Sequence, residues 1–266
     1  MPVVSHFDDE TAIRPDGDDA FVAQLSTDWN IGETANGGYA LSPVLRALRE
    51  ITGQPDALSL TTHFLRPVQG GGPATITTET IRRGRTVSVA RGTLHHAGSD
   101  RLVVTAAMGD LGPGDGADVD MAADPPPIDA PSDCVARSGD HQGVVLPITS
   151  RVEVRLPAHR MQPGGSDDAV TEGWIRLVDG SAPTTTVLPL FADAFPPSLL
   201  SKLGRVGWVP TIELTVHVRR RPVSGWIQAR FECDDLADGR MIESGTLWDE
   251  SGRVVARSRQ LGLLLT

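Results

Sequence analysis

The chain has 266 residues, 39% of them hydrophobic and 22% charged, which is the balance of a folded protein with one large domain or two of ordinary size. Its net charge of −10 argues against nucleic acid or an anionic membrane as the main partner, because phosphate binding calls for a basic face. Two cysteines, Cys134 and Cys233, are too few for a disulfide framework and read as free thiols.

In chain order, the first residues (MPVVSHFDDETAIRPDGDD) lack the basic and apolar regions of a signal peptide, and no later stretch reaches the length of a membrane span. A cytoplasmic protein is expected. The motif Asn36-Gly37-Gly38 opens a helix over 39–53, in which Leu41, Val44, Leu45, Leu48 and Ile51 share one face and Gly53 suits the C-cap. Its two glycines allow a close backbone approach, so Asn36, Gly37 and Gly38 are candidate substrate-lining residues, with a plain helix-entry turn as the alternative. LTTHFLRPV follows at 60–68, then an alternating hairpin over 82–107. Residues 111–145 are rich in Pro, Gly and Asp without period and read as a linker between an N-terminal domain, 1–110, and a C-terminal one, 146–266.

Past the linker the chain is written again. A short helix is expected over 196–204, and LTVHVRRRPV at 214–223 matches the earlier Leu-Thr-x-His stretch 154 residues on. From His63 to Gly92 is 29 residues, and from His217 to Gly245 is 28. Alternation over 211–218 puts Ile212, Leu214, Val216 and Val218 on one face and Thr211, Glu213, Thr215 and His217 on the other. Turns are expected around Asp238-Gly239 and Glu250-Ser251-Gly252. Each half thus reads as a helix with a long antiparallel sheet. The matched positions of His63 and His217 favour a scaffold role over catalysis. The arginine clusters at 82–85 and 219–221 are either solvated strand edges or phosphate sites, and Arg219 and Arg220 are candidate substrate-binding residues. No metal-ligand spacing, nucleophile elbow or phosphate loop appears.

Four stretches, THFLRPV (62–68), IRRGRTVSVARGTL (81–94), LFADAFPPSLL (190–200) and GTLWDESGRVVARSRQLGLL (245–264), resemble the acyl-CoA thioesterase II family. The resemblance implies an α+β double hotdog, two tandem units each with a curved antiparallel sheet wrapped around a helix. It implies hydrolysis of acyl-CoA to fatty acid and free CoA, with no cofactor beyond the CoA of the substrate. Residue by residue, the family's Asp, hydroxyl residue and Gln fall on Asp193, Thr211 and Gln260. This chain has Glu213-Leu214 after Thr211-Ile212, where the family often has an acidic residue and a histidine. Asp193 is expected just before the second helix, where it is also a natural N-cap. Shifted back by the repeat, Asp193 falls near Gly38-Tyr39, Thr211 near Ala57 and Gln260 near Met108, so only the second half carries the three groups. A hotdog hydratase or dehydratase and a non-catalytic acyl-CoA binding protein are the competing readings. Pairing of the sheets into a homo-oligomer is a further expectation.

Overall fold

The computed structural model describes residues 5–112, 121–205 and 209–265. Helix α1 (Gly37–Thr52) carries the expected apolar face. Asn36 caps it by accepting the Tyr39 N–H at 3.0 Å, and Gly53 ends it at φ 65°. Strands β1 (Asp56–Phe64), β2 (Gly72–Arg82), β3 (Val87–His96) and β4 (Ser99–Gly109) wrap it. Leu41, Val44, Leu45 and Leu48 are buried against the inward row of this sheet, among them Leu60, Ala90, Leu94 and Ala106.

The second half repeats the plan with a change in its helix. Two short helices, α2 (Leu188–Asp193) and α3 (Leu199–Leu203), stand in place of one. Pro196 and Pro197 explain the break: each lacks an N–H, and each disfavours helical backbone at the residue before it. The helix expected over 196–204 therefore starts only after both prolines. Strands β5 (Thr211–Val218), β6 (Ile227–Ala237), β7 (Arg240–Trp248) and β8 (Val254–Leu263) complete the unit.

The two halves join in one antiparallel sheet of 13 strands among the described residues. Its central order, β2-β3-β4-β1-β5-β8-β7-β6, reads as a mirror about the β1–β5 pair. Thr61 pairs with Thr215, its own counterpart 154 residues on, and their hydroxyls meet at 2.9 Å. The repeat offset and the strand register are thus one fact: equivalent residues face each other at a pseudo-twofold axis. The corresponding hairpin turns agree, with positive φ at Ala97-Gly98 between β3 and β4 and at Gly252 between β7 and β8. His63 and His217 are exposed on the central strands and do not line the cavity at the broken helix of the second half.

The stretch read as a linker is only partly one. Residues 113–120 lie outside the described residues. Beyond them the chain is tied along the second half: the indole N–H of Trp174 donates to the Asp129 carbonyl at 2.9 Å, that of Trp248 to Ala123 at 2.9 Å, and the Gln228 amide to Pro126 at 2.6 Å. Val135–Ala136 adds a strand at the sheet edge. Pro and Asp leave no apolar period to read, yet their backbone carbonyls serve as acceptors for side chains of the sheet.

Candidate active site

A cavity of about 570 Å³ opens where the second half's helix is broken. Asp193, the last residue of α2, lines it. This differs from the expected position ahead of a helix, and the helix N-terminus that meets Asp193 belongs to the other half. The Gly38 N–H donates to Asp193 Oδ2 at 3.0 Å. Asn36 Nδ2 donates to the same oxygen at 2.9 Å and to the Asp193 carbonyl at 2.8 Å. One side chain, Asn36, therefore caps α1 with its carbonyl and holds the acid with its amide. The start of α1 also carries the positive end of the helix dipole.

Both glycines of Asn-Gly-Gly are required by this contact. A Cβ on Gly37 would stand 2.8 Å from the Phe64 ring and 3.0 Å from Asp193 Oδ2. One on Gly38 would stand 2.5 Å from the Leu190 Cα and 2.6 Å from the Pro189 carbonyl. Asn36 and Gly37 line the cavity. Gly38 does not, because it is pressed against the backbone of α2. Burial raises the Asp193 pKa to about 6; the Gly38, Gly37 and Asn36 donors oppose the rise, and the nearby Glu243 carboxyl adds to it. Asp193 is half-buried and lines the cavity.

Thr211 and Gln260 line the same cavity, joined by a hydrogen bond of 3.0 Å from Gln260 Nε2 to Thr211 Oγ1. Strict alternation places Thr211 on the outer face, away from this position. The register shows why it is not there: Thr211 pairs with Gly262 and Glu213 with Leu261, leaving Ile212 as the extra residue of a β-bulge. The bulge turns Thr211 to the inner face that Gln260 already shares with Leu214. The same bulge recurs at Ala57–Ser59 in β1. The registers also give the true counterparts: Thr211 corresponds to Ala57, as expected, while Gln260 corresponds to Ala106 and not Met108.

Three charged side chains at the cavity, Arg66, Arg137 and Glu243, escaped the sequence reading. Arg137 lies in the stretch read as linker. It is buried, donates to the carbonyl of Ala194 next to Asp193, and burial lowers its pKa to about 10 against the opposing pull of the Asp193 charge. No local pattern marks it. Glu243 on β7 was legible: it interrupts the inward row Met241, Gly245, Leu247. Burial raises its pKa, while the Ser198 N–H (2.9 Å) and hydroxyl donate to its Oε2. Arg219 and Arg220, in contrast, follow the far end of β5, about 25 Å along the strand from Thr211. They do not line the cavity; Arg66 does.

Comparison with known proteins agrees with this architecture. The family model for the acyl-CoA thioesterase N-terminal domain matches residues 25–112, and that for the acyl-CoA thioesterase C-terminal domain matches 127–264. A protein assigned as a thioesterase II from Thermobifida fusca is 31% identical, with a TM-score of 0.90 over 100% of this chain and 99% of that one. A hot-dog-fold protein of unknown function from Alicyclobacillus acidocaldarius is 22% identical, with a TM-score of 0.87 over 99% of both chains. An uncharacterized protein of Mycobacterium tuberculosis is 25% identical over 92% of this chain and 90% of its own.

Proposed function

The chain belongs to the acyl-CoA thioesterase family with paired N- and C-terminal domains, and we propose that it hydrolyses acyl-CoA at the cavity holding Asp193, Thr211 and Gln260. The water oxygen attacks the thioester carbonyl carbon, and the C–S bond breaks with its electron pair on sulfur. Asp193 accepts the water proton and returns it to the thiolate, giving a carboxylic acid and free CoA. Gln260 spends one N–H on the Thr211 oxygen, so the Thr211 hydroxyl proton is left for the water. Arg66 supplies positive charge at the rim for the CoA phosphates, the part first assigned to Arg219 and Arg220. Leu200, Ile212, Phe231 and Leu263 give the acyl group an apolar wall.

The observation that carries this reading is the Asp193 carboxylate, held by the Gly38 N–H and the Asn36 amide and lining the cavity that the Thr211–Gln260 pair shares. The hydratase reading needs a histidine beside the acid, and no histidine lines the cavity among the described residues. The test is release of free thiol from an acyl-CoA series. Asp193→Asn keeps the acceptor for Gly38 and is expected to cost about a hundredfold or more in kcat. Turnover equal to wild type in that variant refutes the assignment. Turnover by the native protein should rise through pH 6 as Asp193 ionises, then level off.

A further inference from the structure

Glu243 is a buried acid that the hydrolytic step above does not use. It is 7% exposed, among Phe195, Leu200 and Phe231 of the cavity wall. Both Ser198 donors go to Oε2. Oε1 accepts no hydrogen bond, and no Arg, Lys or His pairs with the carboxyl among the described residues; Asp193 is its charged neighbour. The register sets Glu243 directly opposite Gln260, so the free oxygen lies one strand from the amide that holds Thr211. The scaffold does not require an acid here. The corresponding residue of the first half, opposite Ala106, is Ala90, fully buried under α1.

We propose that Glu243 sets specificity for the acyl group: its free Oε1 takes a hydroxyl on the acyl chain, so the pocket fits hydroxyacyl thioesters better than unsubstituted ones. The inference rests on the thioesterase reading and names its substrate class. An unsubstituted chain filling the cavity displaces water from Oε1 and leaves a buried polar atom unpaired. A hydroxyl group replaces that water. It donates to a carboxylate and accepts from a neutral carboxyl, so it suits an acid whose ionisation burial has made harder.

The experiment uses matched CoA thioesters of one chain length, hexanoyl-CoA and its hydroxylated forms with the hydroxyl moved along the chain. Thiol release gives kcat/KM, and calorimetric titration into the Asp193→Asn protein gives Kd without turnover. One hydroxylated member should exceed hexanoyl-CoA by about tenfold in both, the usual worth of one buried hydrogen bond. Glu243→Met should bring the ratio of hydroxylated to unsubstituted thioester to about one in both kcat/KM and Kd. Should that variant fail to fold, Glu243→Gln, which presents an amide N–H to the cavity, should alter the ratio severalfold. Preference for hexanoyl-CoA at every hydroxyl position, or a ratio unchanged in the Glu243 variant, overturns the proposal. A hydroxyl preference in Kd without thiol release by the native protein supports this subsite and refutes the thioesterase reading alone. No binding of any member overturns both.

Discussion

The two halves share a sheet, a register and even a bulge, yet the cavity that holds Asp193 opens where the second half's helix is broken. In the first, α1 lies unbroken over the sheet and seals it: a Cβ on Gly92 would stand 2.5 Å from Val44 of the helix. In the second, the Pro196-Pro197 break splits the helix into two short pieces and leaves space. The side chains follow that difference. Thr211, Gln260 and Glu243 occupy positions where the first half has Ala57, Ala106 and Ala90. Three alanines under a helix correspond to three polar groups under a gap. The lesson is that this site comes from withdrawing a cover, after which polar side chains on an unchanged scaffold have something to face.

The comparison makes stability predictions, the largest first. Ala90→Glu puts the second half's acid under the intact helix, where no cavity or Ser198 receives it. A loss of about 4 kcal/mol in urea unfolding is expected. Retention of full stability would show that the first half has hidden room.

Asp193→Asn tests the acid itself. A carboxyl whose pKa rises on folding, from 3.8 to about 6, binds more protons folded than unfolded between those values, so stability falls as pH rises across that window. The variant lacks this penalty. It should match wild type near pH 4 and exceed it by up to about 3 kcal/mol at pH 8, measured as paired unfolding curves at the two pH values. A difference independent of pH would mean that Asp193 titrates normally.

Gly38→Ala forces the helices of the two halves apart at the Leu190 backbone. About 2 kcal/mol should be lost, with thiol release falling alongside as Asp193 loses its donor. Unchanged activity in a destabilised protein would separate packing from the site. Smallest is Thr61→Val, which removes the hydroxyl contact on the axis and should cost about 0.5 kcal/mol while leaving turnover alone. A large loss there would make the axis a stability centre.

Much of the scaffold was legible because it is local or repeated. Leu-Thr-x-His at a spacing of 154 gave away the duplication, and Gly53 and Asp238-Gly239 ended their elements as their backbone freedom dictates. The site was legible mainly through family resemblance, and its geometry was not. Ile212 has no mark of a bulge, since a bulge is defined by the partner strand. The partner of Asp193 sits 155 residues away on a helix of the other half. Arg137 lay in a stretch whose polar composition hid its attachment. Glu243 alone was there to be read, as one acid in an inward-facing row.

The grip of Asn36 and Gly38 on Asp193 has a consequence for dilution. A pocket built across the seam between two separate chains comes apart at low concentration, as mass action requires. Here both sides of the seam belong to one polypeptide, so the helix start is held beside the acid by covalent connection at a fixed effective concentration. The half with no polar trio of its own is thereby a permanent subunit of its neighbour's site, and the site stays assembled in a single molecule.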